Sequence, residues 1–291
     1  MSDIRGAIDA AVRVRKPLLL DAALGTDLEH RGVATPAPLW SANALLTQPS
    51  VVAEIHRENA AAGADILTAN TFRLNPRALR MAGIESRGAE LIAAAIKLAV
   101  DAGAPSVVAS VAPVEDCYRP DLAPDDAELR AEHGLFADQL AEAGADAAWI
   151  ETMNTGREAI IAAQAARDAG LPFIVSFVPR EDGAILSGDN LRDAAREALE
   201  LGAIAVGVNC APPSALDRIL RTLQELNAPL IAYGHLSARP TPGWGLCESL
   251  SPIAYARTAR VWTARRAAII GGCCGTSADT TAALRQAIDA M

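Results

Sequence analysis

Three cysteines in two short segments are the residues of this chain best suited to chemistry. Cys273 and Cys274 stand side by side in residues 270–276 (IGGCCGT), and Cys210 closes residues 205–210 (AVGVNC). The apolar run 267–270 (AAII) precedes the pair and Cys210 ends another such run, so we expect the thiols where a strand gives way to a loop. Thiolates prefer soft metal ions, and three protein ligands leave one tetrahedral position for a substrate. The pattern therefore favours an open, catalytic zinc site.

Simpler interpretations of the same cysteines compete with a metal site. Free cysteine is among the most buried residue types, so any one thiol could fill the core. Neighbours within a strand point to opposite faces, so Cys273 and Cys274 can share an ion only where the strand has ended. The glycines on either side make such an irregular backbone accessible. A disulfide between adjacent cysteines is disfavoured because its ring is strained.

Composition narrows the class of protein. The 291 residues are 51% hydrophobic and 21% charged, which supplies a core and shows no sign of disorder. A formal charge of −9 without basic runs argues against nucleic acid as a partner. No apolar stretch approaches the roughly 18 residues that span a bilayer, and the first residues lack a signal-peptide pattern. With an odd count of five cysteines, we expect a cytoplasmic protein away from membranes. A homo-oligomer stays open.

Strand-sized apolar runs alternate with longer helical stretches along the chain. The predicted strands are 17–20, 65–69, 106–111, 145–151, 172–178, 203–209, 229–233 and 266–271. The clearest helical stretches are 78–102, 127–143, 157–169, 191–201 and 214–226, and residues 1–15 form an extra helix before the first strand. Eight such units predict an α/β fold, a single-domain (β/α)8 TIM-type barrel over residues 1–291. An open sheet is less favoured because no glycine-rich phosphate loop occurs.

In such a barrel the active site lies at the carboxyl ends of the strands. The residues there are Asp21, 70–72, Glu151, Thr152, Ser176, Asn209, Cys210, Tyr233, Cys273 and Cys274. Strands six and eight lie two apart in the ring, so one ion could lie between Cys210 and the Cys pair. Asp21 and Glu151 each follow an apolar strand directly. Alone, either is more often a capping or surface carboxylate, but together they could hold an ammonium group.

With these residues in place, the chain resembles the homocysteine S-methyltransferase family over nearly its whole length. The most specific matches are residues 271–275 (GGCCG), 208–210 (VNC) and 20–26 (LDAALGT), supported by 39–41 (LWS), 55–56 (IH), 69–72 (ANTF) and 149–152 (WIET). The resemblance implies a (β/α)8 barrel whose zinc is held by Cys210, Cys273 and Cys274. It also implies that the amino-acid end of homocysteine is held by Asp21 and Glu151, with Thr71, Ser176 and Asn209 as neighbours in the pocket.

The resemblance further implies an S-methyltransferase that moves a methyl group from a sulfonium donor to homocysteine, giving methionine. S-methylmethionine and S-adenosylmethionine are the expected donors. An alkyl thiol has a pKa above neutrality, and zinc would deprotonate it while three thiolates keep the bound sulfur electron-rich. Four aromatic residues could offer cation–π faces to a sulfonium, each worth about 0.5–2 kcal/mol when desolvated; they are Trp40, Phe72, Tyr118 and Trp244.

Other functions remain open at this stage. One alternative is a corrinoid- or betaine-dependent methyltransferase acting on homocysteine or on a related thiol or selenol. Another, from a different class, is a non-catalytic zinc- or thiol-binding protein, or a redox sensor that uses Cys273 and Cys274. Two departures from relatives suggest an altered donor or an altered acceptor thiol or selenol. Residues 233–235 read YGH where relatives often carry YPN, and Arg73 places a cation beside the pocket that would repel a sulfonium unless it is paired. His235 and the 234–249 loop have no assigned role, and Cys117 and Cys247 are left out of the metal site.

Overall fold

The computed structural model describes residues 2–236, 244 and 248–291. Its sheet consists of parallel strands β1 (Leu18–Leu19), β2 (Ile66–Ala69), β3 (Ser106–Val111), β4 (Ala147–Met153), β5 (Phe173–Phe177), β6 (Val206–Asn209), β7 (Leu230–Gly234) and β8 (Ala267–Gly272). The strands pair in the order β1-β8-β7-β6-β5-β4-β3-β2. Leu20 pairs with Ile66 in a parallel bridge that spans the gap between β1 and β2. The predicted (β/α)8 barrel is confirmed.

Helices surround this ring and follow the strands in turn. They are α1 (Ile4–Val14), α2 (Leu24–His30), α3 (Asn43–Thr47), α4 (Pro49–Ala61), α5 (Pro76–Met81), α6 (Gly88–Val100), α7 (Asp126–Glu142), α8 (Gly156–Asp168), α9 (Leu191–Glu200), α10 (Pro213–Leu223), α11 (Pro252–Ala264) and α12 (Ala278–Asp289). Short 3-10 turns occupy Trp40–Ala42, Glu85–Arg87, Pro120–Leu122 and Gln224–Leu226. Among the described helices, none combines the length and apolar character that a membrane span requires.

Local sequence signals explain where the helices begin and end. The Asn75 side chain accepts a hydrogen bond from the Ala78 N–H at 2.8 Å, and Pro76 occupies the first turn of α5. The single helix predicted over 78–102 is wrong, because the structure divides it into α5 and α6. Gly83 adopts φ +70° between them, a left-handed conformation that ends a helix at little cost to glycine.

Apolar side chains inside the ring form a core that is closed at one end. Trp149 and Ile174 are fully buried there. Ile4 and Ile8 of α1 belong to the same cluster, so this helix covers the amino-terminal mouth of the barrel. A second and larger core lies between the strands and the outer helices. The carboxyl ends of the strands are thereby left as the face where a cavity can open.

Candidate active site

The three predicted metal ligands lie together at the carboxyl end of the barrel. Cys210 directly follows β6, and Cys273 and Cys274 directly follow β8. Their Sγ atoms all lie within 4.8 Å of one another, and the Sγ atoms of Cys210 and Cys273 are 2.7 Å apart. The adjacent pair can face one point because β8 has already ended at Gly272. Three convergent thiols are a donor set that suits a soft cation such as zinc.

Backbone hydrogen bonds fix the turn that carries the cysteine pair. The Cys273 N–H donates to the Gly234 carbonyl at 2.8 Å, and the Leu236 N–H donates to the Cys274 carbonyl at 2.7 Å. Gly275 adopts φ +79°, and a Cβ atom at this position would meet the carbonyl oxygen of Leu236. The turn therefore depends on the end of β7 for its shape and on glycine at position 275.

The thiol cluster favours one negative charge. Hydrogen bonds from Cys210 and then from Cys273 hold the pKa of Cys274 well below its usual value. The pKa of Cys210 is raised well above its usual value by its hydrogen bonds with Cys273 and Cys274, and further by burial. One thiolate is thus stabilised by two neighbouring thiols, as expected where like charges share a buried site. A bound cation would relieve this repulsion and allow further ionisation.

A cavity of about 840 Å³ opens beside the thiols. Asp21 and Glu151 line this cavity, together with three aromatic residues, Trp40, Phe72 and Tyr118, which we call the aromatic wall. This volume lies within the range of about 300–1,000 Å³ that is usual for small-molecule sites. The thiol cluster, both carboxylates and the aromatic wall therefore share one space, in which two small molecules can meet.

The Asp21 carboxylate is buried, and each of its oxygens bonds to Thr68. The residue is 4% exposed, and its side chain accepts hydrogen bonds at 2.9 Å from both the N–H and the hydroxyl of Thr68. Burial raises the pKa of Asp21 to about 7. The negative charge of Glu151 contributes to this rise, whereas the two hydrogen bonds from Thr68 oppose it. A carboxylate in this position gains stability when a cation arrives.

The Glu151 carboxylate lines the same cavity and is also held by hydroxyl groups of other strands. It accepts hydrogen bonds from the hydroxyl of Ser110 and, at 3.0 Å, from the hydroxyl of Tyr233. Burial raises the pKa of Glu151 to about 7, and the nearby Cys274 adds to the rise. Two carboxylates with raised pKa values in one cavity make a site that prefers a positively charged group.

The other predicted substrate residues lie beneath the cavity surface. Thr71 is fully buried and donates to the Ser110 carbonyl at 2.8 Å. Ser176 is fully buried and donates to Asn209 Oδ1 at 2.9 Å. Asn209 is also fully buried, and its side chain bonds to Thr152. None of the three is among the described residues that line the cavity, so their contact with substrate stays a prediction.

Asn209 connects the strand that carries a carboxylate to the strand that carries a thiol. Its Oδ1 accepts from the Thr152 N–H at 3.1 Å, and its Nδ2 donates to Thr152 Oγ1 at 2.9 Å. Thr152 adopts φ 59°, a left-handed conformation that is rare for a β-branched residue, and it directly follows Glu151. Cys210, next to Asn209, adopts φ 51°. Strained backbone of this kind persists where surrounding bonds hold it, and it clusters at functional sites.

Thr68 and Ser110 line the cavity but were not among the residues predicted from the sequence. Both are polar positions inside otherwise apolar strands, and each bonds to one of the two cavity carboxylates. That polarity within a buried strand was the available signal, because a buried hydroxyl needs a partner. Of the four aromatic candidates, Trp244 lies outside the described lining of the cavity, and its Nε1 donates to the Pro179 carbonyl at 2.7 Å.

The remaining candidates fall at the edge of the site. Cys117 lines the cavity but does not belong to the thiol cluster, and burial raises its pKa to about 12. His235 is buried behind the cysteine turn, and burial lowers its pKa. Cys247 and most of the predicted 234–249 loop, residues 237–243 and 245–247, lie outside the described residues.

A (β/α)8 barrel with convergent thiols and buried carboxylates beside one cavity at the carboxyl ends of its strands has the arrangement of an enzyme active site. A model of the homocysteine S-methyltransferase family matches residues 18–288. The chain therefore belongs to that family and is an S-methyltransferase.

Individual relatives agree with this assignment over almost the full length. The chain is 25% identical to homocysteine S-methyltransferase 3 of Zea mays over 94% of its own length and 90% of the relative. It is 24% identical to the selenocysteine Se-methyltransferase of Brassica oleracea var. italica over 92% and 88%. The structure of the homocysteine methyltransferase MmuM from Escherichia coli, in its metallated form, matches with a TM-score of 0.84, 26% identity and 96% and 99% coverage.

Proposed function

We propose that this enzyme transfers a methyl group from a sulfonium donor to the thiol of homocysteine and forms methionine, with a zinc ion held by Cys210, Cys273 and Cys274. The observation that carries this proposal is the shared cavity. Three sulfur ligands within 4.8 Å of one another border the same space as two carboxylates with raised pKa values. That combination suits an acceptor with a thiol at one end and an ammonium at the other.

Cys210, Cys273 and Cys274 would hold the zinc ion, and the ion would lower the pKa of the acceptor thiol so that it ionises at neutral pH. The donor set fits this ion because all three ligands are soft sulfur atoms at the edge of an open cavity. The cluster already favours a negative charge at Cys274, which a cation would stabilise further.

The chain's own residues hold the acceptor in position. Asp21 and Glu151 receive its ammonium, and the arrival of that positive charge lowers the pKa of both carboxylates again. Thr68, Ser110 and Tyr233 fix these carboxylates through hydrogen bonds, so little ordering is needed when the acceptor binds. No described side chain needs to act as a general base, and catalysis depends on holding sulfur and methyl carbon about 3–3.5 Å apart and in line.

A sulfonium donor agrees with the aromatic residues that line the same cavity. Trp40 and Phe72 pack edge to face with their ring centroids 5.6 Å apart, and Tyr118 lines the same cavity. Aromatic faces attract a desolvated cation. In the reaction the acceptor sulfur forms a bond to the methyl carbon while the donor's carbon–sulfur bond breaks, and the donor leaves as a neutral thioether.

A selenol acceptor is a second candidate, because one relative of similar coverage is named a selenocysteine Se-methyltransferase. Selenocysteine carries the same ammonium and a soft nucleophile on a chain one methylene shorter. The same carboxylates would hold it, with the selenium closer to the carboxylate end of the cavity.

Methionine formation from homocysteine by the zinc-loaded protein tests the proposal. S-methylmethionine, S-adenosylmethionine, 3-dimethylsulfoniopropionate and betaine are offered separately, and selenocysteine replaces homocysteine in a parallel series. Zinc content is measured for the wild type and for Cys210→Ala and Cys273→Ala, with Cys117→Ala as the matched control outside the cluster.

The proposal is supported if the wild type turns over a sulfonium donor, if Cys210→Ala and Cys273→Ala lose both turnover and zinc, and if Cys117→Ala keeps both. Tight zinc binding without turnover on any free donor contradicts it and favours a corrinoid protein as the methyl source. Turnover that survives the loss of Cys210 and Cys273 contradicts the metal site.

A further inference from the structure

We infer that Arg73 binds the carboxylate of the methyl donor, so that the enzyme selects sulfonium compounds that carry a carboxylate. This inference rests on the proposed function and adds a specificity residue to it. Arg73 follows β2 and lines the cavity, where it is the one lysine or arginine among the described lining residues. Four acidic side chains share that lining, so a substrate carboxylate has a single cationic partner available.

The guanidinium of Arg73 is anchored but not neutralised by the described residues. Its Nη1 donates to the Glu115 carbonyl at 2.7 Å, and its Cζ lies 5.6 Å from the centroid of the Phe72 ring. No carboxylate of the described residues lies within ion-pair distance of it. Arginine has five N–H donors in a planar fork that matches a carboxylate, so the group retains donors for a ligand.

Arg77, four residues further along the chain and in α5, provides the contrast. It forms ion pairs with Glu115 at 2.8 Å, with Glu128 at 3.1 Å and with Glu132 at 3.0 Å. These three glutamates therefore pair with Arg77, which is not among the described lining residues of the cavity. Arg73, which lines the cavity, keeps N–H donors for a ligand.

The position of Arg73 favours the donor over the acceptor. The acceptor's carboxylate is bonded to the same carbon as its ammonium, which Asp21 and Glu151 hold beside the thiols. Asp21 and Glu151 bond to Thr68, Ser110 and Tyr233, whereas Arg73 lies beside Phe72. Because Cζ of Arg73 is 5.6 Å from the centroid of the Phe72 ring, a sulfonium bound against that ring has the guanidinium within reach of its carboxylate.

Donors that differ only in the carboxylate test this assignment. S-methylmethionine is compared with 3-aminopropyl(dimethyl)sulfonium, which lacks the carboxylate alone, under saturating homocysteine. We expect kcat/KM to be about 10- to 100-fold higher for S-methylmethionine in the wild type, the range for one charge-assisted pair. Arg73→Met should remove most of this preference and change the KM for homocysteine less than about twofold. Arg73→Lys should keep part of it, since it keeps the charge and loses the fork.

Two results would overturn the assignment. One is a wild type that uses both donors equally well. The other is an Arg73→Met variant that keeps the preference while its KM for homocysteine rises, which would mean that the guanidinium serves the acceptor. Titration calorimetry of both sulfonium compounds with the zinc-loaded protein supplies a readout without turnover. If Arg73→Met binds S-methylmethionine more weakly than the wild type does but binds 3-aminopropyl(dimethyl)sulfonium equally well, the assignment is supported even where the proposed reaction fails. If the wild type and Arg73→Met bind S-methylmethionine with equal affinity, the assignment is wrong.

Discussion

Replacement of Asn209 by alanine should uncouple the carboxylate strand from the thiol strand. The side chain makes bonds of 3.1, 2.9 and 2.9 Å, two of them to Thr152 and one to Ser176, and it is fully buried. At about 1 kcal/mol for each buried bond lost, Asn209→Ala should lower the free energy of unfolding by about 3 kcal/mol. Thr152 then loses two of the hydrogen bonds that hold its left-handed backbone, so the adjacent Glu151 is held less firmly.

The same geometry predicts a specific coupling with position 152. A left-handed conformation costs a β-branched residue about 1–2 kcal/mol, whereas glycine adopts it freely. Thr152→Gly also removes one of the bonds that Asn209→Ala removes. Both single variants lose that bond, but the double variant loses it only once. We therefore expect the double variant to be more stable than the sum of the single effects predicts, by about 1 kcal/mol.

Urea unfolding of the metal-free protein measures this double-mutant cycle. Asn75→Ala is the matched control, because Asn75 is a buried asparagine whose Oδ1 accepts from Ala78 and has no bond to Thr152. Its effect should add to that of Thr152→Gly. In the zinc-loaded protein, Asn209→Ala should raise the KM for homocysteine more than it lowers zinc content. Additivity of Asn209→Ala and Thr152→Gly within about 0.5 kcal/mol would refute the reasoning.

Other predictions concern ionisation and backbone shape. Folding raises the pKa of Asp21 from 3.8 to about 7, so the native state keeps a proton that the unfolded state releases between these values. The free energy of unfolding of the metal-free protein should therefore fall as pH rises through this window. In urea unfolding, Asp21→Asn should remove up to about 4 kcal/mol of that fall. If the free energy of unfolding depends on pH equally steeply in Asp21→Asn and in the wild type, the prediction is wrong. In the metal-free protein, iodoacetamide should modify Cys274 before Cys117, because the pKa of Cys274 is lowered and that of Cys117 is raised. Peptide mass spectrometry measures the order of modification, and the reverse order would contradict the prediction. Gly275→Ala should abolish zinc binding in a folded protein, because a Cβ atom would meet the Leu236 carbonyl; full zinc content by metal analysis would show that the turn tolerates it.

The barrel and the meeting of the thiols were predictable from sequence for one physical reason. Parallel strands have their carboxyl ends at one face, so Cys210, Cys273 and Cys274 converge wherever the ring closes, although 63 residues separate the first two. Hydrophobic runs identify such strands because both faces are buried. Element ends were less predictable, as the division of the 78–102 stretch at Gly83 illustrates.

The orientation of polar side chains at the strand ends could not be derived in the same way. Asn209 stands at the rim, yet it turns beneath the cavity because Thr152 adopts a left-handed backbone that no sequence period encodes. Ser176 follows it through a hydrogen bond to the same amide oxygen. Conversely, Thr68 and Ser110 lie within strands and still reach the cavity carboxylates. These details depend on contacts between distant strands.

The parts of the cavity come from separate arcs of the ring. The thiols follow β6 and β8, the carboxylates follow β1 and lie on β4, and the aromatic wall with Arg73 comes mainly from the segments that follow β1, β2 and β3. Each such segment is anchored by its own strand and helix, and loop changes in a barrel leave the scaffold intact. Donor choice can therefore diverge through substitutions confined to the first half of the chain. Such an enzyme can acquire a new co-substrate in evolution while the half that carries the three clustered thiols is inherited unchanged.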